Sequence, residues 1–300
     1  MPLNALLLVL AAACLHALWN IAAKQATRAA GGAGADRRFA FVTVVLMALL
    51  WAPVALAVGG AELLRWTPLQ WAAVAASAAV HVVYFLTLLR GYREADLTVV
   101  YPVARGSAPL LTAAAPVLLL GEALSLTGVL GVLAVCGGVF LIAGGPGLFK
   151  PGQADPAARA RLHAGLRWGA LTGACIACYS VIDGYAVKWL LMGPVLFDWM
   201  CNLLRLPLML PLVWGDGDGL RHTLRTQWRA ALVVAALGPA AYICVLYAVT
   251  MAPLSHVAPA REVSMLVAAL IGGHLLGEKD RGLRLLGAGC IAVGVMALAW

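Results

Sequence analysis

The sequence predicts an all-α polytopic membrane protein with about ten transmembrane helices, arranged as two inverted five-helix repeats. Three observations predict this fold class: the composition, the length of the apolar runs, and a motif that recurs at one constant offset. Of the 300 residues, 63% are hydrophobic and only 11% are charged. Soluble domains are usually about half apolar and about a quarter charged. A soluble core of this length cannot bury such an apolar excess, so the chain is expected to lie in a bilayer.

The apolar runs have the length of membrane-spanning helices, which need about 20 residues to cross the hydrocarbon core. They predict spans at 3–23, 39–59, 69–89, 97–119, 124–144, 165–187, 194–214, 229–250, 254–276 and 283–300. The longer polar connections lie at 31–38, at 144–162 and in a predicted turn at 215–227. We therefore predict a first repeat at 1–146, a polar connecting loop at 147–164 and a second repeat at 165–300.

The two halves share a motif at a constant offset of 156 residues. Arg105 follows a proline three residues earlier, and Arg261 follows one two residues earlier. The same offset relates four further pairs: Gly121 to Gly277, Glu122 to Glu278, Gly131 to Gly287 and Gly138 to Gly294. Chance would not hold one offset through two whole helices, so the pattern indicates a duplication with five spans in each half.

The distribution of charge agrees with an inverted second half, which an odd number of spans per repeat requires. Of the loop Lys and Arg residues, sixteen fall on one predicted face of the membrane and two, Arg65 and Lys188, on the other. Cationic loops are retained in the cytoplasm. We therefore expect the central loop to be cytoplasmic and both termini to lie outside. Inverted repeats that meet at a midplane site are typical of secondary transporters.

The chain resembles the EamA-type members of the drug/metabolite transporter superfamily over essentially its whole length. The resemblance rests on the run Leu-His-Ala-Leu-Trp-Asn at 15–20 with Lys24, on the two Gly-Glu pairs and on the five-plus-five layout. It implies a basket of ten helices in which spans 1, 3, 4, 6, 8 and 9 surround a central cavity. It also implies a multi-pass protein of the cell membrane, the inner membrane in a bacterium. The cargo of such proteins is mostly a small metabolite, an amino acid, a nucleotide-conjugated sugar or a drug.

Two arginines are predicted to meet near the membrane midplane. Arg105 and Arg261 lie about seven or eight residues into spans 4 and 9, so each is roughly 11–12 Å from its own entry face. Those faces are opposite, and across a core of about 30 Å the two residues come within roughly 10 Å in depth. A guanidinium suits a carboxylate or phosphate. The alternative is that each arginine satisfies carbonyls beside Pro102 or Pro259, or pairs with Glu262 or Asp183.

Other polar residues within the spans are further candidates, because ionisable groups in a membrane are costly and often functional. Glu262 is either a proton-coupling carboxylate or a counter-ion for Arg105. Arg205 and Asn202 are expected to hydrogen-bond to a neighbouring helix, and His81 is expected to be a packing residue. The remaining candidates for the cavity lining, with helix packing as the alternative for the tyrosines, are Trp19, Asn20, Asp183, Tyr84, Tyr101 and Tyr242.

These features favour a secondary transporter over other classes of protein. The spans contain no HExxH, GxSxG or paired aspartates, so the chain is not expected to be an enzyme or to hold a metal or cofactor. No Walker A motif is present, so coupling is expected to come from a proton, an ion or a counter-substrate. The expected partners are a small-molecule substrate and membrane lipid, with no nucleic acid and with a homodimer left open. The alternative is a membrane-embedded enzyme or sensor subunit acting on a lipid-linked or small-molecule ligand.

Overall fold

A computed structural model describes residues 1–29, 34–95, 97–119, 121, 123–142, 156–264 and 281–299. Within these residues the chain forms ten α-helices and no strand, which confirms the predicted fold class. The helices are α1 (Leu3–Ala29), α2 (Ala35–Gly59), α3 (Pro68–Glu94), α4 (Leu97–Leu119), α5 (Leu126–Ile142), α6 (Pro156–Lys188), α7 (Pro194–Met209), α8 (Gly217–Met251), α9 (Leu254–Ala260) and α10 (Arg281–Ala299). Short 3₁₀ turns follow the second helix of each repeat, at Gly60–Arg65 and Leu210–Leu212.

Several helical segments have the length and composition of membrane spans. Among the described residues, five are long and apolar enough to cross a bilayer: Ala35–Arg65, Pro68–Leu88, Arg159–Lys188, Pro194–Leu212 and Gly217–Met251. Shorter apolar helical stretches occur at Leu3–Trp19, Leu126–Leu141 and Leu285–Leu298. Many of their large apolar side chains point outward, including Leu49, Leu133 and Leu286. In a bilayer this outward apolar surface faces lipid.

Some helices extend further than the hydropathy pattern predicts. The segment 215–227 was predicted to be a turn, but α8 begins at Gly217 and is helical through most of it. Likewise α6 begins at Pro156, within the predicted connecting loop. Charged residues end an apolar run without ending a helix, because Arg and Glu are good helix formers. Conversely, α9 ends at Ala260, although the predicted span continued to 276. Residues 265–276 lie outside the described part of the chain.

The packing of the two halves on each other has the symmetry of a repeat. Helix α1 packs on α8 and α3 packs on α6, and exchanging the repeats converts one contact into the other. The same holds for α2 on α8 and α3 on α7. Three contacts convert into themselves: α2 with α7, α4 with α9 and α5 with α10. A pseudo-twofold axis therefore passes between the repeats. Helix α4, which contains Arg105, meets α9, which Arg261 directly follows, across this axis.

Glycines let α5 and α10 approach closely at two equivalent points. A Cβ added at Gly131 would lie 2.8 Å from the carbonyl oxygen of Gly294, and one added at Gly294 would lie 2.7 Å from that of Gly131. Gly138 meets the carbonyl of Gly287 in the same way. Exchanging the two repeats converts the contact between Gly131 and Gly294 into the contact between Gly287 and Gly138. The glycines at the constant offset therefore form the crossing of these helices, as small residues do in membranes.

A glycine also ends α4. Gly121 has φ 69°, in the left-handed region that glycine adopts without steric cost and that commonly ends a helix. The sequence predicts this conformation for both Gly-Glu pairs. Glu122 and the second pair, Gly277 and Glu278, lie outside the described residues.

Polar contacts join the two repeats at both ends of the molecule. Because successive helices alternate in direction, the starts of α2, α6 and α8 lie at the same end as the end of α3; we call this the cationic end. There the Arg38 Nη1 to Asp216 Oδ2 distance is 2.7 Å, and the Trp168 indole donates to Glu94 Oε2 at 2.7 Å. The hydrogen bond from Arg38 is the main cause that lowers the pKa of the Asp216 carboxyl. The hydrogen bond from Arg90 is the main cause that lowers the pKa of the Glu94 carboxyl. At the opposite end Gln70 Nε2 donates to the Leu190 carbonyl at 3.0 Å.

Candidate functional site

The centre of the molecule holds a carboxylate between two arginines. Glu262 is 1% exposed, and its Oε2 lies 3.2 Å from Nη2 of Arg105. Its Oε1 lies 3.9 Å from Nε of Arg261. Arg105 belongs to the first repeat, whereas Arg261 and Glu262 belong to the second. We call these three residues the central triad. The ion pair between Glu262 and Arg105 therefore joins the two repeats.

A break in the ninth span presents these side chains. Helix α9 ends at Ala260, and the next residues form a turn closed by tighter bonds than those of an α-helix. Glu262 N donates to the Pro259 carbonyl at 3.0 Å, and Ser264 N donates to the Arg261 carbonyl at 3.1 Å. Bonds three residues apart are typical of 3₁₀ geometry, which often marks a functional hinge. Discontinuous helices at the midplane are also where transporters place polar groups.

Arg105 makes the ion pair with Glu262 that the sequence gives as one alternative for this residue. Arg105 Nη2 also donates to the Ser264 hydroxyl at a long 3.4 Å. The side chain of Arg105 is 20% exposed, whereas that of Arg261 is 8% exposed. The two predicted arginines thus share one counter-ion and lie close together. The sequence does not point to Ser264, because a single serine two residues after a glutamate carries no distinctive pattern.

A second polar group lies between α3, α6 and α8. The Tyr242 hydroxyl donates to Asp183 Oδ2. The Ser77 side chain also lies beside the Asp183 carboxylate. The other oxygen, Oδ1, is buried and makes no hydrogen bond of ordinary geometry within the described residues. Asp183 is 1% exposed. A buried carboxylate oxygen without a donor is costly, so this residue is a candidate for a functional contact.

Aromatic rings surround this carboxylate. Tyr179 stacks on His81 with ring centroids 3.9 Å apart. The ring centroids of Tyr84 and Tyr242 lie 5.9 Å and 6.5 Å from that of Tyr179, both edge-on. His81, expected to be a packing residue, also lies with Nδ1 2.9 Å from the Ser77 carbonyl. Two of the three predicted tyrosines are therefore in one cluster, together with Tyr179, which precedes Asp183 by one helical turn.

A small cavity lies between the central triad and the Asp183 group. Its lining combines polar and apolar residues from α6, α8 and α9 with Arg261: Ser180, Gly184, Tyr242, Val245, Leu246, Val249, Leu254, Ala258 and Arg261. The Ser180 hydroxyl is buried and has no hydrogen-bond partner in the described part of the chain. The cavity has room for only about one water molecule. An organic substrate cannot enter it unless the surrounding helices move.

Helix α7 carries a row of polar side chains that hydrogen-bond to each other within the helix. Asn202 was expected to bond to a neighbouring helix, but its Nδ2 donates to Asp198 Oδ2 of the same helix at 2.9 Å. Arg205 Nη1 donates to Asn202 Oδ1 at 3.1 Å. Asp198 is buried and was not selected from the sequence. Its spacing of four residues from Asn202 and seven from Arg205 places all three on one face, which was the available signal.

Three further residues were predicted to line the cavity. One of them, Trp19, has aromatic and apolar neighbours, and the side chains of the other two are not among those that the structure describes. Trp19 lies edge-on to His16 with a ring separation of 5.4 Å and packs on the apolar cluster of Phe39, Val42, Ala231 and Val234. Its indole nitrogen is buried without a hydrogen bond in the described residues. The backbones of Asn20 and Tyr101 are helical, but their side chains lie outside what the structure describes.

The fold and this polar centre define a class of protein. Inverted five-helix repeats, a broken helix at the repeat interface and buried ionic groups beside a cavity are typical of membrane transport proteins. The chain matches the EamA-like transporter family over residues 3–144 and 163–300, and it belongs to that family. The two matched segments correspond to the two repeats.

The fold is also found in a solved structure. A crystal structure of another protein has a TM-score of 0.71 at 16% identity, over 99% of this chain and 96% of that chain. At this identity the likeness shows the fold alone. No curated protein matches the chain. The protein is thus a multi-pass membrane protein of a transporter family.

Proposed function

We propose that the protein is a secondary transporter that moves a small polar or anionic metabolite, amino acid or drug by alternating access. The observation that supports this most is the central triad, in which Glu262 is buried between Arg105 of one repeat and Arg261 of the other. Removing charges from water is costly even when they are paired. A scaffold alone does not require such groups at the interface of two repeats, whereas a substrate site does.

Movement of one repeat relative to the other would change this arrangement directly. Arg105 is fixed to α4, whereas Glu262 follows α9, so a rocking motion of the repeats alters the distance between them. The cavity beside Arg261 is too small for an organic solute. Polar contacts hold the repeats together at both ends of the molecule. These features support a closed conformation that opens to either side in turn.

Charge balance in the site suggests how transport is coupled. An anion that binds Arg105 or Arg261 adds a negative charge beside the buried Glu262. In a region of low dielectric this charge has to be compensated by a cation or by the departure of another anion. We therefore propose that a proton on Glu262 or a counter-substrate accompanies the cargo.

The proposed location is the cell membrane, with the cationic end in the cytoplasm. The described residues at this end include Arg37, Arg38, Arg90, Arg167 and Arg221, in keeping with cytoplasmic retention of cationic loops. Both termini would then lie outside. A reporter that is active only in the cytoplasm, fused to the C-terminus, should be inactive. Reporter activity there would contradict this orientation.

The proposed function is tested by reconstituting the purified protein in liposomes and measuring solute uptake. Amino acids, organic acids and sugar phosphates are each tested against empty vesicles. We expect saturable uptake of at least one class, with loss of at least about tenfold in Arg105→Gln and in Arg261→Gln. This corresponds to about 1.4 kcal/mol of lost interaction.

The matched control is Arg225→Gln, which removes an exposed arginine near the start of α8. It should transport like the wild type. Thermal unfolding in detergent establishes that each variant is folded before its uptake is compared. Uptake that is unchanged in both Arg105→Gln and Arg261→Gln would contradict the proposed site.

A further inference from the structure

A cluster of charged and aromatic side chains lies at the cationic end, where α3 ends beside α6. The guanidinium carbons of Arg90 and Arg167 lie 5.1 Å and 5.2 Å from the centre of the Trp168 ring. Glu94 accepts hydrogen bonds from Arg90 Nε and from the Trp168 indole, each at 2.7 Å. We call these four residues the interfacial cluster. Arg90 belongs to the first repeat and Arg167 to the second, so the cluster spans the repeat boundary.

Both arginines have hydrogen-bond donors that no described residue uses. Arg90 bonds to Glu94 only through Nε, which leaves its two terminal NH₂ groups, and its side chain is 58% exposed. Arg167 is exposed and makes neither a hydrogen bond nor an ion pair within the described part of the chain. The Trp168 ring contacts both guanidinium groups and so keeps them near each other. Two neighbouring guanidinium groups with unused donors suit a phosphate, which accepts several hydrogen bonds at once.

The charges of the interfacial cluster favour an anion with one negative charge. Its two arginines and one glutamate leave one positive charge, and the phosphodiester of a phospholipid carries one negative charge. Both carboxylate oxygens of Glu94 already accept hydrogen bonds, from Arg90 and from Trp168. The groups that remain for a ligand are therefore cationic. An anionic headgroup complements them, whereas the choline cation of phosphatidylcholine would meet two arginines.

The cluster lies at the depth of lipid headgroups. The predicted third span ends directly before Arg90, and Trp168 is in the first turn of the predicted sixth span. Tryptophan is enriched at this level of a membrane. Leu86 lies one turn deeper than Arg90 on the same face of α3, and its side chain is exposed. Leu171 of α6 is exposed one turn deeper than Arg167, so an acyl chain can lie against these leucines.

We propose that the interfacial cluster is a binding site for one anionic phospholipid, such as phosphatidylglycerol. The lipid phosphate lies between Arg90 and Arg167, and an acyl chain lies along Leu86 and Leu171. The bound lipid joins the two repeats at the cationic end, in addition to the hydrogen bond between Glu94 and the indole of the other repeat. The site takes no part in binding the cargo.

Native mass spectrometry of the wild-type protein is the first test. The protein is released from mixed micelles that contain equal amounts of phosphatidylglycerol and phosphatidylcholine with the same acyl chains. We expect one tightly retained lipid, with a preference of at least about tenfold for phosphatidylglycerol, because each arginine near the membrane surface attracts an anionic lipid. This comparison does not depend on whether a variant folds. Equal retention of the two lipids would overturn the proposal.

A matched pair of double variants then locates the site. The first combines Arg90→Gln with Arg167→Gln. The second combines Arg221→Gln with Arg225→Gln, which removes the same number of exposed arginines near the start of α8, at the same end of the molecule. The first pair should abolish the preference for phosphatidylglycerol, and the second should retain it. Equal loss in the two double variants would contradict a site at the interfacial cluster, because the net charge of this end would then attract the lipid.

Thermal unfolding distinguishes a lipid from a soluble phosphate. Phosphatidylglycerol should raise the unfolding temperature of the detergent-solubilised protein more than phosphatidylcholine does, since a ligand of the folded state stabilises it. Glycerophosphoglycerol, the same headgroup without acyl chains, should leave this temperature unchanged. If glycerophosphoglycerol stabilises the protein as much as the lipid does, the cluster binds a soluble phosphate and the lipid site is refuted.

The outcomes for the lipid site and for the proposed transport function are separate. None of these measurements requires a transported solute. A wild-type protein without lipid preference therefore contradicts the lipid site alone. Absence of solute uptake in liposomes, with the lipid preference intact, contradicts transport alone.

Discussion

At the scale of single residues, the burial of Glu262 is the feature with the largest energetic consequence. This carboxylate is 1% exposed and depends on Arg105 for its close ion pair. Breaking a buried pair by removing one partner typically costs about 3–5 kcal/mol, because a charge remains without compensation. Removing both partners costs less, since no uncompensated charge is left. The stability of variants can therefore reveal the pair independently of transport.

We predict that Arg105→Met lowers the free energy of unfolding by about 3 kcal/mol. Adding Glu262→Gln to the same chain should recover part of this loss, so that the two changes depart from additivity by at least about 1 kcal/mol. Unfolding of the detergent-solubilised protein followed by tryptophan fluorescence measures both values. Arg225→Met with Glu62→Gln, two exposed positions, is the matched additive control. Additivity at Arg105 and Glu262 would show that the ion pair does not contribute.

The sequence predicts part of this residue-scale arrangement. A constant offset and inverted repeats are enough to bring Arg105 and Arg261 to similar depth, and the Arg105–Glu262 pair was one of the predicted alternatives. The pairing of Asp183 with Tyr242 could not be predicted, because it depends on the rotation of α6 relative to α8. Ser180, Ser264 and Asp198 carry no motif of their own. Only the packed structure shows which of their polar atoms are buried.

At the scale of helices, the crossing of α5 and α10 holds the two repeats together on one side. Gly131 meets the backbone of Gly294, so any side chain at either position has to push the helices apart. Gly137 lies on the same helix but has no neighbour within 4 Å of an added Cβ. These two glycines therefore provide a matched pair in which only the packing differs.

Gly131→Ala should destabilise the protein by about 1–3 kcal/mol, the usual cost of overpacking. Gly137→Ala should be neutral or stabilise by up to about 1 kcal/mol, because alanine favours the helix. Thermal unfolding in detergent measures the difference. If the two alanine variants unfold at the same temperature, the close crossing is not present in the membrane protein.

The ion pair between α2 and α8 gives an element-scale prediction about pH. Arg38 binds the ionised form of Asp216 and so lowers the pKa of this carboxyl below its ordinary value of 3.8. The stabilisation is therefore complete above pH 3.8 and is lost as the pH falls through the lowered pKa. Asp216→Asn should remove this part of the acid sensitivity. Unfolding temperatures of the wild type and of Asp218→Asn, the exposed control, should fall further on acidification than those of Asp216→Asn.

At the scale of the whole molecule, the fold was predictable to the extent that it depends on periodicity and length. Composition, apolar runs and the repeat offset identify ten helices and their inversion. The first residues of α6 and α8 were not predictable from hydropathy, because charged residues such as Arg159 and Arg221 interrupt an apolar run without interrupting the helix. The end of α9 at Ala260 was also missed. Pro259 was a local signal, but prolines at 102, 109 and 116 lie within the continuous helix α4.

The two repeats have to separate at one end for a solute to pass. The cationic end is joined by Arg38 with Asp216 and by Glu94 with Trp168, and each pair links one repeat to the other. Opening at this end requires that both contacts break. A covalent link in place of the first contact should therefore stop transport while leaving the fold intact.

The most direct test of the account is solute uptake by a protein cross-linked across this end. Cysteines replace both residues in the double variant Arg38→Cys, Asp216→Cys, and a cleavable bifunctional thiol reagent joins them. We predict that cross-linking abolishes uptake in liposomes and that cleavage of the reagent restores it. Arg38→Cys alone, treated with the same reagent, should keep its activity. Uptake that persists at the uncross-linked rate in a fully cross-linked sample would contradict alternating access between the two repeats.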